Sequence, residues 1–297
     1  MREEVIWTSL TPGQIADELS ALGTPICRDT AKDLLEVFGY HRRQARKNLP
    51  LGSYAHRDEQ FRNIAGLKEQ YLAAGEPVIS MDTKKKEYLG NFHRPGHVWA
   101  TGLIETLDHD FHRSGDGSVV IPHGLYDVGR NVGHITLGTS HDTSQFACEC
   151  FGQWWHGHGF PAYPRAHSLL LLCDCGGSNG NRQHIFKEDL QTVVNEIGIP
   201  IQVAHYPPYC SKYNPIEHRL FPHITRACQG VIFHTLDVVK QFIRRTSTRT
   251  GLTLTLSTLT KHYETKRKAS LEFLAAMPIL FEPRLPELNY ILIPQPA

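Results

Sequence analysis

Two short apolar runs, Pro77-Val78-Ile79-Ser80-Met81 and Leu169-Leu170-Leu171-Leu172-Cys173, each end on an aspartate, Asp82 and Asp174. Runs this dense in apolar residues read as buried strands, and such strands belong to a sheet covered by other elements. A third β-like run, Ile199 to Tyr206, precedes Glu217 in Tyr213-Asn214-Pro215-Ile216-Glu217-His218-Arg219. An acid at the end of a buried strand stands at the rim of the core, where it can face a ligand. Hard divalent cations prefer oxygen donors and keep coordination positions for water and phosphate. Two such ions roughly 3.5–4 Å apart can hold the attacking and leaving oxygens of an in-line displacement.

The 297 residues, 40% apolar and 21% charged, suffice for one large domain and a small one. The net charge of +1 hides local basic clusters at His41–Lys47 and Lys84-Lys85-Lys86. Phosphate contacts are made by such patches, so a near-neutral total does not exclude a nucleic-acid partner. No run of about 18 apolar residues offers a membrane span, and Met1-Arg2-Glu3-Glu4 does not open a secretory signal. Seven scattered cysteines do not form a disulfide framework, so a reducing cytoplasm is expected.

Along the chain, residues 1–50 read as two helices joined by a turn. Thr11-Pro12 is a helix start, with Ile15, Leu19 and Leu22 at helical spacing and Gly23 as the stop. A second helix is expected from about Asp29 to Phe38, turning Ala31, Leu34, Leu35 and Phe38 inward, with Gly39 as its end. The pair fits a small helix-turn-helix whose second helix would present Arg28, Thr30 and Lys32, with Asp29 and Asp33 weakening phosphate contact there. A plain helical hairpin fits the same pattern; the basic segment Arg42, Arg43, Arg46 and Lys47 favours DNA.

Residues 51–75 read as a linker helix carrying Phe61, Ile64, Leu67 and Tyr71. Residues 76–262 change character. Strands are expected at Val78–Asp82, Glu87–Phe92, Ile121–Val128 and Gly133–Leu137, then a helix at about Thr143–Gly157. A strand at Leu169–Asp174, a helix at Asn181–Ile197, a strand at Ile199–Tyr206 and helices from Asn214 and over Leu236–Arg249 follow. Close early strands suit antiparallel pairing, and later strands separated by helices suit parallel crossovers. The fold class is therefore α/β, a mixed ribonuclease-H-like sheet flanked by helices. Residues 263–297 read as a Pro-rich tail with one last strand-like segment over Leu288–Ile293.

Met81-Asp82-Thr83-Lys84-Lys85-Lys86-Glu87, with Gly90-Asn91-Phe92 behind it, resembles the first catalytic block of the bacterial insertion-sequence transposases with a Rhodopirellula-type DDE domain. Asp174-Cys175-Gly176-Gly177-Ser178-Asn179-Gly180 is similar to their second block, and Tyr206-Pro207-Pro208 with Ser211–Phe221 to their third. The resemblance extends through His41–Asn48 and Thr246–Leu252. It implies a ribonuclease-H-like core with two Mg²⁺ or Mn²⁺ ions that cuts and joins DNA at the ends of a mobile element. Carried over by position, the catalytic and metal-binding acids are Asp82, Asp174 and Glu217. Asp82 would be shared by both ions. Lys84, Lys85, Lys86, Lys212 and Arg219 would meet phosphates, and the N-terminal helices the terminal repeats. Double-stranded DNA, a homo-oligomer on that DNA and a nucleoid-associated bacterial cytoplasmic location follow from the same resemblance, with no membrane role.

Two departures stand out. The chain begins later than the family pattern, which keeps a truncated, binding-only copy in view beside a stand-alone nuclease. Cys173 and Cys175 flank Asp174 where small residues are expected. As zinc ligands, Cys148/Cys150, Cys173/Cys175 and His156/His158 have one-residue gaps that match structural zinc spacings poorly. Cys173 and Cys175 share one strand face and read as core packing, while Cys148 and Cys150 point in different directions on a helix. The histidines read as surface or capping groups, and Trp154 and Trp155 read as helix core. Gly-x-Ser-x-Gly is absent.

Overall fold

The computed structural model describes residues 5–43, 54–109 and 119–296, and the chain divides into two units, residues 1–49 and 50–297. In the first, α1 (Pro12–Ala21) opens on a capping box. Thr11 Oγ1 accepts the Gln14 N–H at 3.3 Å, and Gln14 Oε1 accepts the Thr11 N–H at 2.8 Å. Gly23 and Gly39 take positive φ after α1 and after α2 (Arg28–Val37), supplying the left-handed turn that ends each helix. Ala31 is buried, but Leu34 and Phe38 face outward, against expectation. Two ten-residue helices enclose too little volume to cover every apolar side chain on their facing stripes.

The second unit begins with α3 (Arg57–Ala73), whose Ile64 is buried and whose Phe61, Leu67 and Tyr71 pack on the sheet at the expected helical spacing. The sheet follows: β1 (Val78–Thr83), β2 (Glu87–Tyr88), β3 (Val119–Asp127) and β4 (Val132–Gly138). Next is α4 (Ser144–Trp154), N-capped by Thr143. It runs into a π-helical turn, Trp155–Gly159, and then α5 (Phe160–Ala162). After β5 (Leu169–Cys173) come α6 (His184–Ile197), ended by Gly198 at φ +76°, and β6 (Ile201–His205). Three helices, α7 (Pro215–Arg219), α8 (Phe221–Ala227) and α9 (Leu236–Ile243), precede β7 (Thr253–Leu259). The chain closes with α10 (Leu271–Ala276), β8 (Ile279–Phe281) and β9 (Asn289–Leu292).

The strand order is β7-β4-β3-β1-β5-β6-β9-β8, with β2 paired to β3. β1, β3 and β4 pair antiparallel, while β1, β5 and β6 are parallel. This is the mixed ribonuclease-H-like order anticipated from strand spacing. Alternation along β1 and β5 sends Ile79, Met81, Leu169 and Leu171 to a core shared with α4 and α6. Val78, Leu170 and Leu172 go to the opposite face, beneath α3. No helix among the described residues is long and apolar enough to cross a membrane.

Three local outcomes differ from expectation. β2 is only two residues long, because Gly90 turns the chain at φ +139°. The strand β7, written Thr-Leu-Thr-Leu-Ser-Thr-Leu, was not anticipated, although it alternates with period 2; it pairs parallel with β4 along its full length. The C-terminal segment supplies β8 as well as β9, and β9 covers the edge of β6.

Candidate active site

Strand alternation and register bring two acids to one edge. On β1 the residues Val78, Ser80 and Asp82 share a face, and on β5 so do Leu170, Leu172 and then Asp174, just past the strand end. Ser80 pairs with Leu172, so Asp82 and Asp174 lie one step further along the same face and toward the same sheet edge. The third acid arrives from α7. Ser80 donates its hydroxyl proton to Asn214 Oδ1 at 2.5 Å and accepts the Ile216 N–H at 3.0 Å. Asn214 Nδ2 donates to the Met81 carbonyl at 3.2 Å. These buried bonds fasten the start of α7 to the middle of β1, and Glu217 follows in its first turn.

Gly124 makes this approach possible. It pairs with Asp82 across the sheet, and a Cβ there would lie 2.7 Å from Ile216 Cδ1 and 2.8 Å from Phe221 Cε1. The backbone of β3 must therefore stay bare where α7 lies over it.

Asp82, Asp174 and Glu217 line one cavity of about 270 Å³, with Thr83, Asp142, Gly176, Gly177, Ser178, Asn179 and Ser211. Two backbone donors orient the aspartates: Thr83 N–H to Asp82 Oδ1 at 2.7 Å and Gly176 N–H to Asp174 Oδ1 at 3.2 Å. Behind Asp174, the His205 Nδ1–H donates to its carbonyl at 2.7 Å, and His205 Nε2 accepts from the Tyr290 hydroxyl at 3.0 Å.

Burial and the charges of Asp174 and Glu217 push Asp82 up to about 9. Burial, with Glu217 and Asp142 nearby, raises Asp174 to about 6. Like charges held in partly dry surroundings resist ionising together. No lysine or arginine is among the described lining residues. The donors are all hard oxygens, which suits a divalent cation as countercharge. Among the described residues no three His, Cys, Asp or Glu side chains are gathered into a finished single-ion cage.

The cationic candidates are distributed unevenly. Lys84 is drawn inward: its Nζ lies 2.6 Å from Glu87, which also binds Arg94 at 2.6 Å, with Glu87 buried between them. A buried carboxylate left unpaired is costly, and Lys84 and Arg94 together compensate Glu87. Lys85, Lys86, Lys212 and Arg219 are exposed. In the N-terminal unit Arg28, Thr30 and Lys32 are exposed on α2. Arg28, Lys32, Arg42 and Arg43 line a groove there with Trp7 and Tyr40. Arg46 and Lys47 lie outside the described residues.

Cys173 is buried in the core and Cys175 donates its thiol to the Tyr206 carbonyl at 3.0 Å. Both thiols are raised by burial, Cys175 to about 12, which makes them poor thiolate ligands. Trp154 and Trp155 are core residues, as expected, and Cys148 and Cys150 are buried as well. Asp142 was missed. It stands in a loop between β4 and α4 with no apolar run in front of it, and the signal that picked out Asp82 and Asp174 is absent there.

The family model described as the Rhodopirellula transposase DDE domain matches residues 1–294. No curated protein matches the chain. Among solved structures, a pre-cleavage Mos1 transpososome is similar at 16% identity and a TM-score of 0.49, covering 79% of this chain and 66% of that one. The Mos1 paired-end complex with left transposon end is similar at 14% identity and a TM-score of 0.47 over the same shares. This chain thus spans just under two thirds of the Mos1 chains it matches.

Proposed function

The chain belongs to the Rhodopirellula transposase DDE domain family, and on that premise we propose that it is a metal-dependent DNA transposase that cuts and joins DNA at the ends of a mobile element. The observation that carries this reading is the meeting of Asp82, Asp174 and Glu217, from three separate elements, in one cavity with no lysine or arginine among its described lining residues. In this reading Asp82, Asp174 and Glu217 would together hold Mg²⁺ or Mn²⁺, two ions being proposed. Bound there, the ions would neutralise the scissile phosphate and lower the pKa of the attacking hydroxyl or water.

The protein's own groups supply position. The Thr83 and Gly176 amides fix the carboxylate orientations, and the Ser80–Asn214–Ile216 bonds fix the height of Glu217 over the sheet. Exposed Lys85, Lys86, Lys212 and Arg219 are assigned to the DNA backbone. Lys84 instead stiffens the segment after β1 through Glu87. The helices α1 and α2, with Arg28, Thr30, Lys32, Arg42 and Arg43, are assigned to double-stranded terminal repeats as a helix-turn-helix, and Arg46 and Lys47 to the same contact. Joining requires two ends in one assembly, so a homo-oligomer on DNA is part of the proposal.

The test is cleavage of DNA carrying the flanking ends of the encoding element, with Mg²⁺, Mn²⁺ or chelator, for wild type and Asp174→Ala. Metal-dependent cleavage absent from the variant is expected. Unchanged cleavage in the variant would falsify the site assignment. Binding without cleavage by wild type would favour a binding-only copy, and cleavage without joining to a second DNA a nuclease.

A further inference from the structure

Asp142 lines the same cavity as the three assigned acids, yet it comes from a loop on a different strand connection. Its Oδ1 accepts two hydrogen bonds, from Thr83 Oγ1 at 3.2 Å and from Ser178 Oγ at 3.0 Å. Thr83 directly follows Asp82, and Ser178 lies in the short 3₁₀ turn of the loop that follows Asp174. One carboxylate oxygen therefore ties together the two backbone segments that carry the aspartates.

The proton assignments are consistent around the cluster. Thr83 Oγ1 has one proton, and giving it to Asp142 leaves its lone pairs for His123 Nδ1 at 2.9 Å. His123 must then carry its proton on Nδ1. Its Nε2 is buried without a partner among the described residues, the position that best tolerates an unprotonated nitrogen. Burial lowers His123 to about 4, so the ring is neutral and donates once. The chain of donors runs from His123 through Thr83 to Asp142, with Ser178 donating from the other side. The Thr83 and Ser178 hydroxyl protons are both directed at Asp142, which acts as their common acceptor.

We propose that Asp142 is a positioning residue that sets the separation and orientation of Asp82 and Asp174 by holding the Thr83 and Ser178 hydroxyls on a single oxygen. This rests on the transposase reading, in which those aspartates hold metal. The role belongs to the Oδ1 acceptor, not to the charge, so asparagine can keep both bonds while alanine loses both. Partners that orient metal ligands in this way typically change metal affinity by about 10–100-fold when removed.

The experiment measures Mn²⁺ binding by loss of the free-ion electron paramagnetic resonance signal, in the full chain without DNA. The variants are Asp142→Ala, Asp142→Asn, Ser178→Ala and Asp174→Asn. Alongside it, amide hydrogen exchange is followed at Thr83 and Gly176, whose N–H groups bind the aspartate carboxylates and report on the loops without metal. Asp142→Ala is expected to weaken Mn²⁺ binding by about tenfold or more and to speed both exchange rates. Asp142→Asn is expected to stay within about threefold of wild type in both, and Ser178→Ala to fall between them. Ser178→Ala keeps the comparison open should Asp142→Ala fold poorly.

Wild-type affinity and exchange in Asp142→Ala would overturn the proposal. So would an Asp142→Asn loss as large as that of alanine, because the charge itself would then be the contribution. Absence of Mn²⁺ binding in wild type, or an affinity unmoved by Asp174→Asn, would sink the metal reading instead. The exchange rates then decide alone whether Asp142 joins the two loops.

Discussion

At the scale of single residues, Asp82 shows how a functional group opposes the fold that holds it. Burial and the neighbouring carboxylates push its carboxyl up to about 9 in the folded chain from an ordinary value of 3.8. Between these values the folded state binds more protons than the unfolded state, so stability falls as pH rises across that window. The slope approaches about 1.4 kcal/mol per pH unit. Asp82→Asn should remove this component, making the metal-free variant more stable than wild type at pH 8 while abolishing cleavage. Urea denaturation at pH 5 and pH 8 checks it: equal pH dependence in the two proteins contradicts the account. Asp82 and Asp174 were legible from sequence because each ends an apolar strand at the same parity. The pairing of Lys84 with Glu87 was not legible, because nothing in a run of three lysines tells which one a buried glutamate will claim.

At the scale of elements, the seat of α7 on β3 decides whether Glu217 reaches the cavity. Gly124→Ala should push Ile216 and Phe221 away, costing about 1–3 kcal/mol by overpacking and lowering cleavage more than DNA binding. Denaturation curves and cleavage rates on one preparation test both parts. The π-helical turn after α4 makes a different prediction. His134 on β4 bonds Thr255 Oγ1 on β7 at 2.5 Å, and its ring centroid lies 4.6 Å from that of His158 in the turn. Burial, with His158 and Arg130 nearby, depresses His134 to about 3 from 6.5. The unfolded state binds the extra proton between those values, so this contribution is present above pH 6.5 and lost as pH falls toward 3. His134→Gln should flatten the decline in melting temperature between pH 6.5 and 4. An unchanged acid limb would show that other groups govern it. The pairing of β7 with β4 escaped the sequence reading because its threonine–leucine alternation offers one half-buried face and no apolar block.

For the whole molecule, the C-terminal segment is part of the framework of the second unit. Asn289 on β9 exchanges amide bonds with Gln60 on α3, Asn289 Nδ2 to Gln60 Oε1 and Gln60 Nε2 to Asn289 Oδ1, both at 2.8 Å. Gln60 Nε2 also donates to the His205 carbonyl at 2.9 Å. Tyr290 completes the line through His205 to the backbone of Asp174. Ending the chain at residue 277 would strip β9 from β6 and leave buried amides unpaired at several kcal/mol in total. The shortened protein should be insoluble or lack a cooperative melt, and a soluble, cooperatively melting product would show the segment to be dispensable.

The sequence by itself determined the strands that form the centre, their mixed directions and the two aspartates at their ends. These follow from local hydrophobic period and from the short or long spacing between strands. Glu217 was legible only through its motif, since nothing local shows that Ser80 and Gly124 will draw α7 onto β1 and β3. Asp142, the pairing of Lys84 with Glu87 and the covering of β6 by β9 were decided by tertiary structure alone. Each depends on which buried polar group finds a partner from a distant segment, and such pairings leave no periodic trace in the chain.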